Sequence, residues 1–423
     1  MDIPIPYDIP MNNDNIPDLQ GLFQVNVTSA TNNEPLPEAT VQISSTGEPD
    51  VILEEFKTNE SGQTDKFLLE APPFAYSQEP LQNQPYSEYN VRVILEGYEP
   101  VVVSGAEILP KTFSWQNISM RPLGRPGYPY VIGPHTLYGY YPPKIPEAEI
   151  KTVEETGEIV LSQVVIPEYI VVHDGAPEDS SAANYYVPYR DYIKNVASCE
   201  IYATWPESCI YANVLAIMSF TLNRVYTEWY RNKGYKFTIT SSTAYDHKWI
   251  NGKNVYDNIS YLVDSIFSNY LSRPNVNQPI LTQYCDGKRV TCPNWMSQWG
   301  SKNLGEQGYS AIDILRYYYG DSIYINTARQ ISGIPASFPG ENLTIGSRGD
   351  KVRQIQEQLN RISDDYPRIP KVVSDGIFGE GTSNAVRTFQ TIFNLPVTGI
   401  IDYPTWYKIS EIYVGVSRIA ELN

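Results

Sequence analysis

The apolar residues of this chain change their spacing along its length, and that change limits the folds open to it. From Gly21 they alternate with polar residues: Phe23, Val25 and Val27, then Ala39, Val41 and Ile43, then Tyr89, Val91, Val93 and Leu95. A period of two, broken by Asn32-Asn33, Asn59-Glu60-Ser61-Gly62, Pro72-Pro73 and Gly97-Tyr98, predicts short strands buried on one face, and so a small β-sandwich over 21–122. After Pro167 the pattern becomes mixed. Tyr169 to Val172 predicts a strand, and Thr204-Trp205-Pro206-Glu207 has the form of a capping box opening a helix of about five turns. Ile259, Leu262, Val263, Ile266, Phe267, Tyr270 and Leu271 form a helical stripe, and Ser310 with Asp313 caps a third helix that Gly320 stops. From 341 the stripes are short: Val352, Ile355, Leu359 and Ile362; Ala385, Val386, Phe389 and Gln390; Trp406, Ile409 and Ile412.

The expected fold class is therefore multidomain. An N-terminal β-sandwich is followed by a central mixed α/β (α+β) unit of catalytic type over 167–335, and a C-terminal three-helix bundle over 341–416. A length of 423 residues agrees with about three domains. Prolines at 4, 6, 10 and 17 make 1–20 an extended arm, and a Pro/Gly/Tyr-rich stretch over 123–166 reads as a stiff linker.

Charge narrows the partners. Residues 1–166 carry 8 basic and 23 acidic side chains, which leaves the rest of the chain nearly neutral within a total of −17. With no basic stripe to release counterions, nucleic acid is not an expected partner. No run is long and apolar enough for membrane insertion, and MDIPIPYDIPMNNDNIPDLQ has neither the basic start nor the apolar stretch of a signal peptide.

The four cysteines fall in two close pairs, Cys199/Cys209 and Cys285/Cys292, which reads as buried thiols or as one or two local disulfides. Histidines 135, 173 and 247 are scattered. His135 reads as an inert linker residue and His173 as a strand-end one. No cofactor is expected, since scattered histidines and cysteine pairs without CxxC spacing give little support for a structural zinc site.

Three resemblances give these units a context. Gly346-Ser347-Arg348-Gly349-Asp350-Lys351-Val352, Gln356 to Leu359, Asp375-Gly376-Ile377-Phe378-Gly379, Thr382, Phe389-Gln390, Thr398-Gly399 and Thr405-Trp406 closely resemble the helical peptidoglycan-binding module of wall hydrolases. That resemblance implies peptidoglycan as partner and a groove near Asp375, Gly376, Phe378, Gly379 and Gln390. The run Asp191 to Glu200, the stretch Ile239 to His247, and Met296-Ser297-Gln298-Trp299-Gly300 with Gly308-Tyr309 and Ile314 to Tyr319 resemble the sporulation stage II protein D and LytB amidase-enhancer family. Pro35 to Val41, Thr58 to Gly62 and Gly97-Tyr98 resemble a transthyretin-like, carboxypeptidase-regulatory sandwich, a spacer or assembly module.

The second resemblance implies lytic transglycosylation. One carboxyl group, here Glu200, protonates the glycosidic oxygen and then takes the proton of the sugar's own C6 hydroxyl as a 1,6-anhydro ring closes. No second carboxylate is needed. Ser242, Thr243, Tyr245, Ser297 and Gln298 are the implied substrate-binding residues, and the zinc that some relatives hold on one His and two Cys would fall here on His247, Cys285 and Cys292. The same resemblance implies a place at the cell wall or the spore surface and cortex, with other wall hydrolases or coat proteins as partners. The rival expectation is a non-catalytic wall- or spore-coat assembly protein, favoured by Cys199 set before Glu200 and by His247 standing where the family has glutamine.

Overall fold

The computed structural model describes residues 15–79, 83–124, 130–135, 137, 141–151, 161, 163–333 and 337–417. Most of the arm expected over 1–20 thus lies outside the described residues, and Gln20 already belongs to a strand. Seven strands follow: β1 (Gln20–Ser29), β2 (Thr40–Ser45), β3 (Glu48–Lys57), β4 (Phe67–Glu70), β5 (Ser87–Ile94), β6 (Val101–Ile108) and β7 (Phe113–Met120). β3, β2, β5 and β6 form one sheet, and β4, β1 and β7 lie side by side in the other. Phe23, Val25, Val27, Val41, Ile43, Val91 and Val93 are fully buried between them. The alternation seen in the sequence is the inward face of both sheets.

Beyond Pro167 a three-stranded sheet (Asn184–Pro188, Tyr169–His173, Ile239–Thr240) accompanies α1 (Tyr189–Glu200), α2 (Glu207–Tyr226), α3 (Asp257–Ile266), α4 (Gln298–Glu306) and α5 (Ala311–Tyr319). The C-terminal unit is helical: α6 (Asp350–Asp365), α7 (Glu380–Ile392) and α8 (Tyr403–Ser417). Ser310 caps α5 as expected, its hydroxyl accepting from Asp313 N–H, and Gly320 ends that helix with a positive φ of 86°.

Two local expectations need correction. Thr204 does not cap α2, which starts after Pro206; its hydroxyl instead meets Ser77 Oγ of the sandwich at 2.7 Å. The stripe from Ile259 to Leu271 is helical only to Ile266, because Tyr270 and Leu271 lie in a strand (Asn269–Ser272) paired with Tyr324–Thr327. The spacing fits a helix, but cross-strand pairing decides the last residues. The run 191–200 lies ahead of the long helix and is itself helical, with Glu200 as its last residue.

The units are joined rather than strung out. Val255–Tyr256, from the central unit, pairs antiparallel with β7 and adds a strand to the sandwich. Next to it, Lys253 and Glu107 form an ion pair whose side chains are both fully buried. Asn254 Nδ2 donates to Glu107 O at 2.7 Å, and its Oδ1 accepts from Glu107 N–H at 3.1 Å. Trp205 Nε1 donates to Ser77 O at 3.0 Å. The described parts of 123–166 are no free spacer either: Tyr130–Val131 lies beside β6, 141–151 runs along the central unit, and Val165–Ile166 pairs with Gln330–Ile331. On the other side Phe267 packs against Tyr403 and Tyr407 of α8, and Gln63 Nε2 of the sandwich donates to Ile392 O of α7.

A charge that loses its only buried counter-ion costs about 3–5 kcal/mol, whereas removing both partners costs far less. Lys253→Met is therefore expected to lower the unfolding free energy by about that amount. Adding Glu107→Gln should restore most of it, as read by urea denaturation of the single and double variants.

Candidate functional site

Glu200 closes α1, and its carboxylate points into the protein with the residue only 3% exposed. Oε1 accepts the Lys248 N–H at 2.8 Å, and Oε2 accepts Gln298 Nε2 at 2.9 Å. Gln298 also donates to the Glu200 carbonyl, at 3.2 Å. Gln298 reaches this point because Ser297 caps α4, its Oγ accepting Gly300 N–H at 2.9 Å. Burial raises the Glu200 carboxyl above its ordinary value, against the Lys144 ammonium, the Lys248 amide and Gln298, which all favour the charged form. A position at the negative end of a helix works in the same direction as burial.

Of the residues expected at this site, the fold brings Gln298 onto Glu200 and Ser297 to the start of the helix that presents it. Ser242, Thr243 and Tyr245 are half-buried in a turn, where Tyr245 and Asp246 N–H both donate to the Ser242 carbonyl. Their side chains make no described hydrogen bond to Glu200. His247 is fully buried, with Nδ1 3.1 Å from Tyr192 Oη and its ring stacked on Tyr284 at 5.7 Å. Burial, aided by Lys144 and Arg224, holds it far below its ordinary value and hence neutral.

The zinc set does not assemble. Cys285 and Cys292 are joined in a disulfide, which uses both thiols, and His247 is packed among rings. Among the described residues no cluster of histidine, cysteine and carboxylate has a metal-binding arrangement. Cys199 and Cys209 are free and buried, their thiols pushed up to about 12 by burial. The remaining histidines are structural: His135 Nε2 lies 3.3 Å from Ile201 O, and His173 Nδ1 lies 2.8 Å from Asn184 Oδ1.

Several residues the sequence reading passed over matter here. Asp246 accepts from Arg224 Nε, Tyr230 Oη and Thr240 N and Oγ1 at 2.7–2.9 Å. Arg224, wholly buried, also donates twice to Glu147, at 2.8 and 2.6 Å. Lys144 Nζ donates to Asp246 O and lies 4.8 Å from the Tyr284 ring centre. Glu147 and Lys144 belong to the proline-rich stretch. Their one signal was a pair of charges three apart within an otherwise apolar and proline-rich run.

In the C-terminal unit two side-chain amides act as internal clips. Gln356 Nε2 donates to Asp375 Oδ1 and Ile377 O, and its Oε1 accepts Gly376 N–H. Gln390 does the same for Thr398, Gly399 and Ile400. Gln390 and Phe378, both expected to face the ligand, are thus inside the fold, whereas Asp375 is exposed. Gly376 has a φ of +76°, which allows the tight turn between α6 and α7.

With that geometry in place, residues 348–409 match the family described as "Putative peptidoglycan binding domain". The C-terminal unit is a domain of that family, so peptidoglycan is a partner of the chain and the cell wall its place of association. No curated protein matches the chain. Among solved structures, the SleB N-terminal domain is 30% identical; the match covers 18% of this chain and 99% of that one, at a TM-score of 0.16. The minor pilin of Streptococcus agalactiae is 12% identical over 26% of this chain and 48% of its own, at 0.18. The 5-hydroxyisourate hydrolase of Klebsiella pneumoniae is 14% identical over 24% and 92%, at 0.16. Scores this low carry nothing about the chain as a whole. None of the described helices is long and apolar enough to cross a membrane.

The Glu147 contacts have a pH signature. Burial alone would raise its carboxyl, but Arg224 and Lys151 override burial and hold it at about 2, against an ordinary 4.5. A folded value below the unfolded one contributes stability that is complete above pH 4.5 and lost as the pH falls toward 2, about 3 kcal/mol in all. The stability difference between wild type and Glu147→Gln should therefore shrink steadily across that window, as measured by urea denaturation at pH 7, 4 and 3.

Proposed function

We propose that the protein grips peptidoglycan through its C-terminal domain and cleaves glycan strands in its central unit by lytic transglycosylation, with Glu200 as the single acid and base. The observation that carries this reading is the state of Glu200: a buried carboxyl, held in place by one backbone N–H and one amide side chain and raised by burial toward the range of a general acid. Protonated, it gives its proton to the glycosidic oxygen. Ionised, it takes the proton of the C6 hydroxyl that attacks C1. The sugar supplies the nucleophile, so one carboxylate completes the cycle. Gln298 orients Glu200, while Ser242, Thr243 and Tyr245 would meet sugar hydroxyls and acetamido groups. The reading extends to a role in sporulation or spore-wall remodelling, with deposition at the spore.

A second reading has its own support. Glu200 has both oxygens occupied and almost no exposure, as a purely structural carboxylate would. On that reading the chain is a wall-bound assembly protein.

Incubation with purified peptidoglycan separates the two. Wild type should release 1,6-anhydro-muropeptides, detected by mass spectrometry, and Glu200→Gln should lower their rate by about 10²- to 10⁴-fold while wall retention is kept. Wall retention with no anhydro product from wild type would leave the assembly reading standing.

A further inference from the structure

The segment 141–151 lies across the central unit without helix or strand, with prolines at 142, 143 and 146. It fills the seam between the 244–246 turn and the 278–283 stretch. Ile145 N–H donates to Ala244 O at 2.7 Å, and Gln283 Nε2 donates to Ile145 O at 2.7 Å. Glu147 N–H donates to Gln283 Oε1 at 2.9 Å, and Lys151 N–H to Gln278 Oε1 at 2.8 Å. Leu281 N–H donates to Glu149 O at 2.8 Å. Only Lys144 and Lys151 are buried; Pro142, Pro143, Ile145, Pro146 and Ala148 are exposed. The segment is one residue deep, a strap rather than part of a core.

The strap crosses at Glu200. Tyr141 lies under the Lys248 ammonium, 5.0 Å from ring centre to Nζ, and the Lys248 N–H is the one that binds Glu200. Lys144 then turns inward above the rings of Tyr284 and Phe220, at 4.8 and 5.1 Å, where its charge favours the ionised form of Glu200. Under the strap, therefore, lie two aromatic rings, the amide side chains of Gln278 and Gln283, the Asp246 carbonyl and a carboxylate. Aromatic faces, amides and carboxylates are the groups that receive a sugar's apolar face, acetamido group and hydroxyls.

We propose that residues 141–151 occupy the channel of an extended amino-sugar chain, so that glycan entry and release of the strap are one event. The inference rests on Glu200 being the centre of a glycan site, and it adds how that site is kept closed. A chain entering the seam would replace the strap's hydrogen bonds to Gln278, Gln283 and Ala244 with its own, and the Glu147–Arg224 and Glu149–Arg273 ion pairs would open as the strap leaves. It would also remove the Lys144 ammonium from Glu200, which favours the protonated acid that the first chemical step needs.

Hydrogen exchange read by mass spectrometry tests this on full-length Glu200→Gln protein, with peptide-free strands of alternating N-acetylglucosamine and N-acetylmuramic acid as the probe. Exchange over 144–151 and at Leu281 is expected to speed at least tenfold when the strands are added. Lys144→Met, which keeps a side chain over the rings, should tighten strand binding about tenfold in the same background. Unchanged exchange over the strap, with any protection confined to 341–417, overturns the proposal whether or not the variant folds. The two ideas fail separately: strap release with no anhydro product from wild type would uphold the strap and remove the chemistry, while product with an unmoved strap would do the reverse.

Discussion

Asp264 is the residue around which this molecule is assembled. It sits on α3, almost wholly buried, and takes Arg190 Nη1 on one oxygen at 3.0 Å and Lys194 Nζ on the other at 2.8 Å. Arg190 and Lys194 are one turn apart on α1, so one carboxylate fixes that helix against α3. Burial would raise the Asp264 carboxyl, yet the two cations hold it below its ordinary value. Arg190 reaches further, to Tyr407 O and Glu411 of α8. The start of α1 is thereby bolted to the peptidoglycan-binding domain, and its end carries Glu200.

A binding domain on a loose tether raises local concentration without fixing direction. Here the arrangement is different. The helix that ends in Glu200 reaches the helix that ends the binding domain through Arg190, which pairs with Glu411 and donates to Tyr407 O, and the Phe267 ring lies against Tyr403 and Tyr407. A polymer held by that domain would thus meet the central unit in a fixed orientation as well as at a fixed distance.

What could be read from the residues alone, and what could not, follows from the range of the forces involved. The sandwich strands were legible because alternation is local: Val25 and Val91 are buried for the same reason that they alternate. The C-terminal helices were legible from Ile355, Leu359 and Trp406 in the same way. Gln390 was misplaced because a motif position records that a side chain matters, not which way it points; here it holds a loop closed from within. Glu200 and Gln298 were named from pattern, and their meeting across 98 positions is tertiary. Lys144 was lost in a stretch whose prolines argued only against regular structure. Proline excludes helix but does not say what an extended segment lies against.

The strand Val255–Tyr256 has a consequence for synthesis. β7 is complete when residue 120 leaves the ribosome, but the neighbour it pairs with is made only much later, and Glu107 waits as long for Lys253. During that interval the nascent sandwich has a bare edge and a carboxylate with no cation. Such species invite wrong pairing between chains. The negative charge gathered in the early part of the sequence sets neighbouring copies against one another, and so opposes such mispairing until the chain's own later half completes the sheet.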